Sequence, residues 1–167
     1  MTPTPPRSGR TRLRVRYSEC DPMGVAHHGA YVPWLEIGRT ELLRAGGTAY
    51  AQVERGGVLL MVVALGVRYR RPALYDDLLE VRTDVVGGGR VKIEHAYELV
   101  LVEDGAGGAR GERPPGQVLA TGTTTLACVR RDGRPAPLPD WLVLGAATRD
   151  AGPEAGSNEA AGRPRRV

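Results

Sequence analysis

The residues able to do chemistry crowd into one stretch, positions 17–31, where Glu19, Cys20, Asp21, His27 and His28 fall within ten residues of one another. An amphipathic pattern begins at about Tyr31 and stops at Gly46-Gly47. A carboxylate and two imidazoles are therefore expected just ahead of a helix N-terminus. That end of a helix carries unpaired N–H groups and a partial positive charge. Such groups polarise a carbonyl and stabilise the oxyanion formed when it is attacked. An acid–base residue beside a ready electrophile site points to acyl chemistry, with Asp21 as the base or nucleophile.

The other readings of these residues are weaker. Asp21-Pro22 is also turn chemistry. Cys20 has no histidine at a diagnostic spacing, and Cys20 and Cys128 match no metal or redox motif. Adjacent His27 and His28 cannot readily aim at one ion, so no metal is expected. His27 reads as a structural or solvent-facing residue. Glu36 and Glu41 read as helix-surface ion-pairing residues. His95 lies on the apolar face of a strand, where a histidine normally packs as a hydrogen-bonded core residue.

The elements that must position the loop follow from hydropathy patterning. Residues 1–11 are read as a disordered tail, 12–143 as one domain and 144–167 as a second disordered tail. Leu13, Val15 and Tyr17 alternate with arginines, a half-buried strand. Tyr31, Trp34, Leu35, Gly38, Leu42 and Ala45 share a helix face, with Pro33 in the first turn. Gly38 at the centre of that face predicts a helix pressed closely onto a sheet. A short helix is expected over positions 48–55. Four strands then follow: an apolar run from Val58 that turns basic at Arg68, Arg70 and Arg71; an alternating run over 79–85; another over 91–101 beyond a Gly87-Gly88-Gly89 hairpin signal; and a last one over 117–131. Strand, helix and four strands joined by tight turns make an antiparallel sheet covered by one helix.

The chain of 167 residues has 41% hydrophobic residues, no Phe and a net charge of +4, carried almost wholly by arginine because Lys92 is the only lysine. The excess sits near the two ends, and no basic stripe is interleaved with aromatics, which argues against nucleic acid. No apolar run could span a bilayer and nothing resembles a signal peptide, so the expected compartment is the cytoplasm.

The motif Asp21-Pro-Met-Gly-Val-Ala-His-His-Gly-Ala-Tyr31, with Trp34-Leu-Glu36 and Arg39-Thr-Glu-Leu-Leu-Arg44, resembles the 4-hydroxybenzoyl-CoA thioesterase family, on the side of its Tol–Pal-associated acyl-CoA thioesterases. Tyr69-Arg-Arg-Pro-Ala-Leu-Tyr-Asp-Asp77 fits that family's strand-to-turn segment, and the likeness covers roughly residues 12–131. It implies an α+β hot-dog fold, a five-stranded antiparallel sheet wrapped around one long helix. It also implies hydrolysis of a small-to-medium acyl-CoA without a cofactor, by a homodimer or dimer of dimers (a homotetramer) with sites at subunit interfaces. Asp21 falls on the family's catalytic aspartate and His28 on the residue whose N–H faces the thioester carbonyl. Tyr31 is expected to line the substrate site, and Arg68, Arg70 and Arg71 to meet the CoA phosphates. Ala30 stands where the family commonly has Asn. Two other readings remain: a non-catalytic module binding acyl-CoA or acyl carrier protein, and an adaptor for a cell-envelope or lipid-synthesis complex.

Overall fold

A computed structural model describes residues 6–143. The expected disordered segments at 1–5 and 144–167 lie outside the described residues. Strands β1 (Ser8–Arg14), β2 (Val58–Tyr69), β3 (Leu78–Gly88), β4 (Lys92–Glu103) and β5 (Val118–Arg130) form one sheet in the order β1-β3-β4-β5-β2. Every neighbouring pair is antiparallel. Helix α1 (Tyr31–Ala45) lies across one face, and a short helix α2 (Tyr50–Arg55) leads into β2. This is the expected hot-dog arrangement.

Two boundaries differ from the expectation. The N-terminal tail was expected to run to residue 11, but Ser8 to Thr11 are already paired with Asp84 to Val81. Ladder hydrogen bonds, not apolar side chains, hold this polar start. The strand also ends earlier, at Arg14: Tyr17 is 80% exposed and opens a 3-10 turn. The cause is Glu19, whose carboxylate accepts from the Arg16 N–H at 2.8 Å and folds the chain back.

Helix α1 buries Tyr31, Trp34, Leu35, Gly38, Leu42 and Leu43, so Leu43 rather than Ala45 completes its apolar face. A Cβ added at Gly38 would lie 2.5 Å from Thr83 Oγ1 and 2.8 Å from Val81 Cγ1. The glycine is what lets the helix settle onto β3. The helix ends where the Gly46 and Gly47 N–H groups donate to Leu43 and Arg44 carbonyls, with Gly47 at φ 83. Below the first half of α1 lies one core cluster, including Trp34, Leu35, Val81, Leu99 and Leu119. A second cluster lies below its C-terminal half, where Leu43, Val53 and Ile93 meet Ala136, Leu138 and Leu142 of the closing segment. The helix leans towards β1 and β3. Val62 and Leu65, paired with inward-facing Leu126 and Thr124, are therefore left 41% exposed on β2, an edge strand.

Candidate active site

The loop ahead of α1 is a tight hairpin. Cys20 bridges Ala26, the Asp21 N–H donates to the Val25 carbonyl at 2.9 Å, and the Gly24 N–H donates to the Asp21 carbonyl at 2.8 Å. Gly24 sits at φ 73, which suits glycine. Inside this turn Asp21 Oδ1 accepts the Met23 N–H at 2.8 Å. Its other oxygen takes no hydrogen bond among the described residues. The carboxylate is thus held by one oxygen and offered by the other, as a base or nucleophile requires.

His27 and His28 divide the work. His27 Nδ1 accepts the Gly29 N–H at 3.1 Å and caps the 3-10 turn His28–Ala30 that leads into α1. Its role is the structural one expected. The His28 carbonyl accepts from Tyr69 Oη at 3.0 Å. The His28 N–H makes no hydrogen bond among the described residues, so an unspent donor remains at the entry to the helix. Ala30 supplies no side-chain cap. Ser18, Glu19, Cys20, Asp21, His27 and Ala30 line an open cup of about 390 Å³.

Glu19 is a site residue whose role was not foreseen. Its Oε1 accepts from Trp34 Nε1 at 3.1 Å and from the Arg16 guanidinium at 2.8 Å. Burial pushes this carboxyl up, but the Arg16 and Trp34 donors outweigh it and hold it below the usual carboxylate range. The only advance signal was its i, i+3 spacing from Arg16, and nothing linked it to Trp34. Cys20 is a poor nucleophile, since burial and then the charges of Glu19, Asp21 and Asp77 push its thiol up. Among the described residues no cluster of side chains could hold a metal ion.

The hairpin is braced from behind. The Ala26 N–H donates to the Ala73 carbonyl at 2.8 Å, and Val25 bridges Leu74. That turn is locked by Asp77, fully buried, which accepts the Leu74 N–H at 2.8 Å and both arms of Arg113 at 2.8 and 2.6 Å. Arg113 also donates to Asp104 at 2.6 Å, and Arg110 reaches the Met23 carbonyl at 3.1 Å. The loop between β4 and β5 therefore grips the Asp21 hairpin, a partnership the sequence did not signal.

Of the expected site residues, Asp21 lines the cup, His28 opens the 3-10 turn between the cup-lining His27 and Ala30, and Tyr31 and the arginines are not on its wall. Tyr31 is buried, packs edge-on to Tyr69 at 4.9 Å and accepts the Ala73 N–H at its hydroxyl, so it is a core residue behind the loop. Tyr69 points to the helix side, which puts its neighbours Arg68 and Arg70 on the opposite face of β2. Arg71 follows the strand end, exposed, two residues before Ala73.

Residues 15–144 match the model of the thioesterase-like superfamily. Acyl-CoA thioester hydrolase YbgC of Escherichia coli is 36% identical over 95 residues, 57% of this chain and 71% of that protein. YneP of Bacillus subtilis, named as a candidate acyl-CoA thioesterase, is 28% identical over 137 residues, 79% of this chain and 91% of that protein. Among solved structures, the DHNA-CoA thioesterase of Staphylococcus aureus superposes with a TM-score of 0.68 at 29% identity, covering 78% of this chain and 80% of that one.

Proposed function

This chain belongs to the thioesterase-like superfamily, and from that premise we propose that it hydrolyses a small-to-medium acyl-CoA to the free acid and CoA at the Asp21 cup. The observation that supports the reading is a half-bonded Asp21 carboxylate in an open cup whose wall also holds His27 and Ala30, the residues flanking the start of the turn that leads into α1. Asp21 draws a proton from water as the water oxygen bonds to the thioester carbon. The oxyanion that forms is held by the His28 N–H. Its collapse breaks the C–S bond, and the proton on Asp21 passes to the departing CoA sulfur. In the other form of the same reading Asp21 itself bonds to the carbonyl carbon, the C–S bond breaks to release CoA thiolate, and water then cleaves the mixed anhydride, its protons going to the thiolate and the acid. ¹⁸O in Asp21 after a single turnover in ¹⁸O-water requires that anhydride, opened by water at the Asp21 carbonyl.

We assign a CoA phosphate within the same subunit to Arg71, exposed two residues before Ala73, whose carbonyl holds the Asp21 hairpin. Arg68 and Arg70 serve CoA only if a second subunit brings its cup to their face. The exposed apolar edge of β2 supports that assembly, a dimer or dimer of dimers. A cytoplasmic location is part of this proposal. Among the described residues no helix is long and apolar enough to cross a membrane.

The test is free-thiol release from a panel of short, medium, long and aromatic acyl-CoAs, with Asp21→Asn in parallel. Losing a general base costs about 10²–10⁴-fold. Turnover in Asp21→Asn equal to the parent would sink the assignment. Tight acyl-CoA binding with no thiol release from either protein would favour the non-catalytic binding module.

A further inference from the structure

A second cavity, of about 50 Å³, lies between the C-terminal half of α1 and the sheet. It is separate from the Asp21 cup: Leu42 on its wall is about 17 Å along the helix from Tyr31, at 1.5 Å per residue. Most of its lining is apolar, from Leu42, Leu60, Ile93 and Leu126. By the measure that assigns one water about 10–15 Å³, it admits roughly three to five water-sized groups.

Four polar side chains break that lining: Thr40 and Tyr50, whose hydroxyls are already bonded to the Glu36 and Leu60 carbonyls, and His95 from β4 and Arg39 from α1. His95 was expected to be a hydrogen-bonded core residue, and it is not. It is 7% exposed, and its Nδ1 is buried with no partner among the described residues. Burial, and then the charge of Arg39, push the imidazole down to about 4, so at neutral pH it offers one N–H and one lone pair. The Arg39 side chain is 15% exposed. One guanidinium nitrogen donates to Glu36 at 3.0 Å, and the others find no acceptor among the described residues. An apolar slot ending at a mostly buried cation and an unpaired imidazole donor is complementary to a small amphiphilic anion.

We propose that this cavity binds a short-chain carboxylic acid, its carboxylate between the Arg39 guanidinium and the His95 ring and its hydrocarbon against Leu42, Leu60 and Ile93. The inference rests on the thioester-hydrolase reading only for the source of the acid, since hydrolysis releases one.

The experiment is calorimetric titration of the full chain with butyrate and with 1-butanol, for the parent, Arg39→Met, His95→Phe and Asp21→Asn. Butyrate is expected to bind saturably, one per chain, in the parent and in Asp21→Asn. It should lose tenfold or more in affinity in Arg39→Met and His95→Phe, and butanol should bind at least tenfold more weakly than butyrate. Should either core variant fail to fold, the ring resonances of the three histidines in the parent decide: those of His95 must shift on adding butyrate, and unmoved they overturn the proposal. Absence of saturable binding, or binding unchanged in both Arg39→Met and His95→Phe, overturns it as well. Butyrate binding lost in Asp21→Asn would move the acid to the catalytic cup, overturning this site and leaving the proposed function standing. Full turnover in Asp21→Asn with the expected butyrate pattern would do the reverse.

Discussion

At the scale of single residues, the cup depends on where hydrogen bonds are spent and where they are withheld. If the His28 N–H rather than its ring holds the oxyanion, His28→Ala keeps the donor and changes kcat by less than about tenfold. Losing an oxyanion donor outright costs about 10²–10³-fold. Steady-state thiol release on the preferred acyl-CoA measures this directly. Glu19 tests the wall of the cup. Its folded pKa lies below the unfolded value of 4.5, so the charged form contributes stability that is complete above that value. The contribution fades as pH falls through the lower folded value. Glu19→Ala leaves the buried Trp34 Nε1–H without its acceptor, which costs about 1–3 kcal/mol. Urea unfolding should show that gap at neutral pH, and a smaller one at pH 3.

At the scale of elements, two contacts decide how the loop is held. Alanine is the better helix former by about 1 kcal/mol, but a Cβ at Gly38 would meet Val81 and Thr83 at less than 3 Å. Overpacking of this kind costs about 1–3 kcal/mol, so Gly38→Ala is expected to lower the melting temperature despite the propensity gain. Arg113 is the second. Arg113→Met leaves Asp77 buried without its counter-ion, and breaking such a pair costs about 3–5 kcal/mol. The Pro72–Asp77 turn that backs the Asp21 hairpin loosens with it. The urea midpoint and kcat should fall together. A folded Arg113→Met with unchanged kcat would show that the brace does not position the site.

At the scale of the whole molecule, the two sheet edges are unlike. β1 is short and carries Arg10, Arg12 and Arg14 outward, a charged edge that resists pairing. β2 runs for twelve residues with no charge before Arg68 and leaves Met61, Val62, Val63 and Leu65 exposed. If β2 is where subunits join, Val62→Lys converts the assembly to monomer in light scattering after gel filtration, with the circular dichroism of the parent. Activity should fall with it if the acyl group enters between subunits. A parent chain monomeric at micromolar concentration would remove the subunit-interface part of the proposal.

What the sequence determined by itself was local. The order of elements, the amphipathic face of α1, the glycine hairpin, the Asp21–His28 loop ahead of a helix and the meaning of Gly38 all lie in patterns of two, three or four residues, the periods of strand and helix. The family resemblance rested on the Asp21–Tyr31 loop, the helix residues Trp34–Glu36 and Arg39–Arg44, and the Tyr69–Asp77 segment. The tertiary structure decided what depends on partners far apart in the chain. Trp34 joins Glu19 across fifteen residues and Arg113 joins Asp77 across thirty-six, and neither pair leaves a periodic trace. Tyr31 became a core residue because its hydroxyl meets Ala73, forty-two residues on. Arg68 and Arg70 lost the cup because alternation along β2 gave that face to Tyr69. His95 sits on the apolar face the pattern required. That it found no partner there was settled only when α1 packed onto the sheet, leaving Arg39 and an apolar cavity beside it instead of an acceptor.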